Sequence, residues 1–144
     1  MKNTSIEHRF PKIIKLQYID DGVDGCLTVV ESSKQIPFNI KRVYYINRFR
    51  NWNAIRGMHA HKKLKQAIFC LQGSFELLLD NGVAQRSIKM QKSHLGIYLA
   101  PMLWHVMRHF SKDCVILVLA SDFYKKSDYI RDYNEFVKWL RRKL

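Results

Sequence analysis

The stretch Arg56-Gly57-Met58-His59-Ala60-His61-Lys62-Lys63-Leu64-Lys65-Gln66 sets two imidazoles two residues apart in what reads as a β-strand. Side chains alternate faces along a strand, so His59 and His61 point the same way. Imidazoles titrate near neutrality, and two of them on one face beside Arg56 suit either a metal site or proton-transfer chemistry. Four residues separate His61 from Gln66, and six separate Gln66 from Gly73. Further along, Gly96 precedes Pro101, and His105 follows the proline after three residues.

Outward from this stretch, short β-branched and aromatic runs alternate with turn residues. The strand-like runs cover 13–19, 26–31, 41–48, 65–72, 74–80, 83–89, 95–99 and 114–120. Asp80-Asn81-Gly82 stands between two of them as a hairpin signal. Many short strands at this spacing predict an antiparallel barrel or sandwich of the jelly-roll kind. The tail differs. Ile130, Tyr133, Val137, Leu140 and Leu144 recur at helical spacing, predicting a C-terminal helix over about 127–143 with Ser127 as N-cap and Asp128 in the first turn. The expectation is a mainly β single domain, 1–144, with one helix packed on it. No repeat or low-complexity linker divides it.

Bulk properties narrow the functional classes. At 144 residues with 47% hydrophobic content, the chain can bury a sizeable core. Its longest clean apolar run, 114–120, is too short to span a bilayer, and the first residues carry no apolar signal-peptide core. Cys26, Cys70 and Cys114 lack metal or redox spacing and are expected to be buried free thiols, which points to a reducing, cytoplasmic setting with no membrane partner. The formal charge is +13. No RNA-binding aromatic motif, zinc finger or helix-turn-helix accompanies it, so no nucleic-acid partner is expected; the charge suits attraction of an anionic small molecule. Arg141-Arg142-Lys143 also complements a helix C-terminus.

The H-x-H, Gln66, Gly73, Gly96, Pro101 and His105 series resembles the paired cupin motif, in which two histidines and a Glu on one strand pair and a His on a later strand converge inside a jelly-roll barrel. Here Gln66 stands where a metal-binding cupin has Glu. A neutral amide supplies no anionic oxygen to hold a divalent cation, so the two-His-one-carboxylate triad is broken. His59, His61 and His105 remain able to form a three-histidine zinc site of open type. The alternative makes the histidines acid/base groups, and Gln66 favours it. His8, His94 and His109 read as ordinary strand histidines. Of the adjacent Tyr44 and Tyr45 only one can face a cavity, and Tyr45 is the expected one. Trp52 and Trp104 are expected in packing, Trp104 with a base-stacking alternative, and Tyr129 and Tyr133 in helix packing.

Longer strings carry a closer resemblance. Phe38-x-Ile40-Lys41-Arg42-Val43-Tyr44-Tyr45-Ile46, Arg56 to Lys62, Cys114 to Asp122, and Ser127 to Tyr133 are similar to the sugar 3,4-ketoisomerases. The resemblance spans about 13–136. It implies a metal-independent cupin that acts on dTDP-4-keto-6-deoxy-D-glucose for 3-amino-3,6-dideoxyhexose synthesis, as in bacterial surface glycans. It also implies a homodimer with exchanged N-terminal strands, and no cofactor. Carried over, His59 and His61 are catalytic with Tyr45, while Arg56, Gln66, His105 and Trp104 bind substrate. His59 is assigned as base and His61 as proton shuttle between sugar oxygens. The residue after the tryptophan, His105, leans toward a galacto product, although Asp24 replaces the Arg or Tyr usual before Gly25. The competing readings are a metal-dependent cupin enzyme and a non-enzymatic nucleotide-sugar-binding cupin.

Overall fold

The computed structural model describes residues 10–143, so His8 lies outside the described residues. Twelve strands are ordered along it: β1 (Ile13–Lys15), β2 (Gln17–Asp20), β3 (Cys26–Val29), β4 (Arg42–Ile46), β5 (Arg56–His61), β6 (Gln66–Gln72), β7 (Phe75–Asp80), β8 (Gln85–Met90), β9 (Leu95–Leu99), β10 (Trp104–Arg108), β11 (Val115–Ala120) and β12 (Tyr129–Ile130). The helix α1 spans Tyr133–Arg142. Two five-stranded antiparallel sheets run β1-β9-β6-β11-β4 and β12-β5-β10-β7-β8, with β2 and β3 forming a separate ribbon. This is the cupin-type jelly roll expected from the motif spacing.

Alternation along each strand sorts side chains into three apolar layers. Between the sheets, Ile68, Leu77, Leu79, Met107, Ile116 and Val118 form the central core. On the outer face of the first sheet, Phe69, Ala67 and Leu119 are covered by Ile14, Leu16, Ile36 and Phe38. On the outer face of the second sheet, Ala60 and Trp104 pack beneath Ile130, Phe136 and Leu140.

The hairpin between β7 and β8 forms at Asp80-Asn81-Gly82 as predicted. The Asp80 and Asn81 carboxylate and amide oxygens accept the backbone N–H groups of Gly82, Val83 and Ala84. A Cβ on Gly82, whose φ is +86°, would sit 2.3 Å from Leu140 Cδ1. A side chain there would be strained by the positive φ and would displace the Leu140 methyl against which the turn packs. Tyr133 strengthens the dock by donating its hydroxyl to Asp80 Oδ2 at 2.8 Å.

Several expectations are corrected. The 13–19 run breaks at Leu16, whose N–H donates to His94 O at 2.8 Å before the chain departs for the β2–β3 ribbon. Among the described residues no layer covers that ribbon, and Cys26 is exposed while Cys70 and Cys114 are buried. Strands β10 and β12 were not among the predicted runs. The helix starts at Tyr133 and not near residue 127, because Asp132 is the N-cap and accepts from Glu135 N at 2.9 Å. Ser127 lies in a 3-10 turn, Lys126–Asp128. The Asp128 side chain is committed elsewhere, to the N–H groups of Lys63 and Leu64.

Phe136 is fully buried in the layer beneath α1. Phe136→Ala is expected to lower the unfolding free energy by about 3–5 kcal/mol, the range for deleting a buried aromatic ring, as read by urea denaturation.

Candidate active site

Strand β5 lies between β12 and β10, and its inner face supplies His59 and His61 as alternation predicts. His105 on β10 pairs directly with His59, but the next pair is Val106 with Gly57. Met58 is therefore an extra, unpaired residue: a β-bulge, with positive φ at both Gly57 (+81°) and Met58 (+55°). The left-handed backbone at Met58 costs on the order of 1–3 kcal/mol. It has two local consequences. A Cβ at residue 57 would lie 2.8 Å from His105 O, so only glycine lets β5 approach β10. The Gly57 carbonyl is also placed 2.9 Å from His59 Nδ1. A carbonyl only accepts, so Nδ1 carries the proton and Nε2 keeps its lone pair.

The bulge also resets which residues face inward. Arg56 pairs with Met107, an inner-face residue, and so joins the histidines at the cavity although it is three residues from His59. One nitrogen from each of His59, His61 and His105 lies within 4.8 Å of the others. His61 and His105 are buried.

Across the barrel, Gln66 on β6 is buried and donates its amide N–H to the Tyr44 hydroxyl at 2.9 Å. That leaves the Tyr44 O–H proton free to be donated into a cavity of about 310 Å³ beside His59 and Tyr129. The Tyr129 ring sits 4.8 Å from His59 and 4.4 Å from His61, closing the far wall. A second cavity of about 160 Å³ adjoins His61 and is bordered by Lys41, Arg42, Lys63 and Lys125. Arg42 borders both cavities, and its buried Nε has no hydrogen-bond partner among the described residues.

Burial governs the titration of this cluster. It holds His59 below its ordinary value, with Arg131 adding to the effect against the Gly57 hydrogen bond. His61 is lowered to about 3 by burial and by the nearby His59, Arg42 and Arg131. His105 is pushed well below the ordinary range by burial and by the two other histidines. At neutral pH the site therefore holds neutral imidazoles among cationic side chains. Tyr44 is held protonated, its acidity weakened by burial and the Tyr129 neighbour.

Five of the residues expected from the sequence converge: His59, His61, His105, Gln66 and Arg56. Two do not. Tyr45 points outward and is 68% exposed; Tyr44, one position earlier, takes the inner face of β4. Trp104 points away from His105, its strand neighbour, and packs against Tyr133 and Phe136 beneath α1. Sequence reasoning missed Arg42, named in the 38–46 string without a site role, and Tyr129, read as helix packing. The string Ser127 to Tyr133 was the available signal, but its strand β12 is two residues long and has no legible period.

As a metal site the cluster is incomplete in a specific way. Gln66, at the carboxylate position, has its amide turned to Tyr44. A tetrahedral zinc with Zn–N near 2.0–2.1 Å needs nitrogens about 3.3 Å apart, and one nitrogen from each histidine lies within 4.8 Å of the others, so the cluster lacks the carboxylate but not the imidazoles.

A jelly-roll barrel with imidazoles converging on its interior is a cupin. The chain belongs to the FdtA family (WxcM-like, C-terminal), whose model matches residues 9–141. A curated relative from Aneurinibacillus thermoaerophilus, TDP-4-oxo-6-deoxy-α-D-glucose-3,4-oxoisomerase, is 45% identical over 91% of this chain and 93% of its own. A 3,4-ketoisomerase from Helicobacter canadensis superimposes with a TM-score of 0.86 at 40% identity, covering 91% of this chain and 97% of that one. The third is a histidine-to-asparagine mutant of the ketoisomerase QdtA from Thermoanaerobacterium thermosaccharolyticum, in complex with TDP-4-keto-6-deoxyglucose. It gives a TM-score of 0.88 at 36% identity, over 93% and 96% of the two chains.

The lowered histidines make stability depend on pH. Between the ordinary imidazole value of about 6.5 and the folded values, the unfolded chain binds more protons, so stability rises with pH there. Acidification from pH 7 toward 4 is expected to lower the denaturation midpoint. Each buried histidine contributes a slope of up to about 1.4 kcal/mol per pH unit, and His61→Asn should reduce the slope measured by urea titration at several pH values.

Proposed function

We propose that this chain moves the carbonyl of dTDP-4-keto-6-deoxy-D-glucose from C4 to C3 through an enediol, by histidine acid/base catalysis. The observation that carries the reading is His59: a half-buried, neutral imidazole with its Nε2 lone pair left free by the Gly57 carbonyl, in a cavity bordered by Arg42 and Arg56. Membership of the FdtA family and the named substrates of its relatives supply the sugar.

The chemistry follows from the sugar. The C3 proton is acidic only because the adjacent C4 carbonyl can take up the charge. His59 removes it, and electron density moves to O4 as an enediolate. His61 carries the proton between O3 and O4, and return of a proton to C4 leaves the carbonyl at C3. Nothing is oxidised or reduced overall, so no redox cofactor enters. A well-placed base of this kind contributes about 10²–10⁴-fold. Arg56, Arg42 and Arg131 stabilise the enediolate or the diphosphate, and the Tyr44 hydroxyl, oriented by Gln66, hydrogen-bonds a sugar oxygen. Tyr44 replaces Tyr45 in this role. His105, paired with His59 across the β5–β10 ladder, faces the ring and favours a galacto product.

The active form is proposed to be a homodimer. In the structure β1 pairs with β9 of its own chain. Val43, Tyr45 and Leu71 leave apolar side chains exposed on the outer face of the first sheet, which a second copy would cover. Light scattering should give twice the monomer mass. A metal-dependent reading is favoured by one observation, the three clustered imidazoles; a stoichiometric metal in purified protein together with loss of activity on chelation would establish it instead.

His59→Asn should abolish turnover of dTDP-4-keto-6-deoxyglucose while the melting profile stays two-state. In the unsubstituted enzyme, NMR should show a new 3-keto sugar with solvent deuterium at C4. Unconverted sugar, with no 3-keto species, would mean a binding protein and not an isomerase. A further pair separates the tyrosines: Tyr44→Phe should lower kcat about tenfold or more, whereas Tyr45→Phe should leave it within about twofold.

A further inference from the structure

His61 has no hydrogen-bond partner that orients it as Gly57 orients His59. Both its ring nitrogens are buried and without a formed hydrogen bond among the described residues. One carboxylate is nevertheless within reach: Asp128 Oδ2 lies 3.3 Å from His61 Nδ1, with the two side chains 16% and 4% exposed. The contact is close enough for an ion-dipole attraction, but off-axis for a hydrogen bond. Catalytic hydrogen bonds are often long in a substrate-free site and tighten when it fills.

The carboxylate is held by the backbone. Lys63 N–H donates to its Oδ1 at 2.9 Å, and Leu64 N–H donates to Oδ2 at 3.2 Å. The main chain of the same segment is tied to β5, with Lys62 N–H donating to Asp128 O at 2.9 Å and Tyr129 pairing with His61. Asp128 is thus fixed at the Nδ1 side of the ring by four independent restraints. Because His61 is neutral near pH 7, it has a single proton to place on one of its two nitrogens.

We propose that Asp128 is a positioning residue for His61: its carboxylate holds the proton on Nδ1 and leaves the Nε2 lone pair to face the sugar oxygens. The proposal deepens the isomerase reading and rests on it for the sugar, but the tautomer itself is a property of the free protein. Asp128 acts only as a hydrogen-bond acceptor. It takes no proton from the substrate. Its effect is to give His61 the same handedness as His59, so that both imidazoles offer acceptor nitrogens while protonated Tyr44 offers a donor.

Asp128→Asn is informative because of the backbone. If the amide oxygen keeps the shorter Lys63 bond, the amide N–H₂ takes the place of Oδ2 and faces His61 Nδ1. A donor there favours the opposite tautomer, the kind of error that elsewhere lowers kcat by about 10⁴-fold. The test uses ¹⁵N-histidine-labelled full-length protein, with the His61 signals assigned by their loss in His61→Gln. The unsubstituted protein should show His61 Nδ1 protonated and Nε2 unprotonated. Asp128→Asn should reverse the pair, lowering kcat about 10²-fold or more with KM changed less than about threefold. An Nε2-protonated His61 in the unsubstituted protein would overturn the proposal, even if Asp128→Asn failed to fold. Undiminished kcat in a folded Asp128→Asn would also overturn it. If the tautomer is as stated but the unsubstituted protein does not convert the keto sugar, the isomerase reading fails and the positioning of His61 stands.

Discussion

The break in register between β5 and β10 is the constraint on which the site depends. Strict alternation would place Arg56 and His59 on opposite faces, because they are an odd number of residues apart. One extra residue, Met58, resets the phase, so that Arg56 opposite Met107 and His59 opposite His105 both face inward. The same backbone turn presents the Gly57 carbonyl to His59 and leaves no room for a side chain at residue 57. Placement, tautomer and close strand approach thus come from a single irregularity. The strain at Met58 is held in place by hydrogen-bonded ladders on both sides of β5.

Around that point, the site combines two properties that oppose each other in water. Burial strips the histidines of solvation and keeps them neutral, while arginines and lysines gather at the cavity edges. The cations lower the histidine values further, and so preserve them as proton acceptors at a pH where free imidazole is partly charged. An anionic ligand is attracted by the same cations that keep the bases unprotonated. Gln66 fits this scheme as a neutral partner: a carboxylate in its place would oppose the depression of the imidazoles.

Much of this was legible in the chain. Period-two alternation placed His59 and His61 on one face, the Asp-Asn-Gly turn announced its hairpin, and Gln66 signalled the missing carboxylate. Arg56 was assigned to the site by its nearness to the two histidines in sequence and by resemblance; alternation alone would have turned it away, since a bulge leaves no compositional mark apart from its glycine. Tyr44 and Tyr45 are chemically identical neighbours, and only the register of β4 against β11 decides between them. Trp104 was misplaced for a related reason: the residue beside a site histidine on a strand faces the other way. Asp128 and Tyr129 were hidden by their surroundings, because the helical pattern that follows drew the whole 127–143 segment into one reading. The true helix begins only after a two-residue strand has closed the barrel edge.

That late strand has a consequence for how the site comes into being. His59 and His61 are separated by almost 70 residues of chain from the Asp128–Tyr129 wall that completes their cavity, and the wall is pinned by α1 packing over Ala60 and Trp104. On a ribosome, both imidazoles would emerge and pair within their sheet while the fourth side of the cavity was still unmade. The barrel can gather its apolar layers early, but its chemistry is the last thing to close. A nascent or clipped chain ending before β12 would keep most of the sheet pairings and leave the cavity without its Asp128–Tyr129 wall.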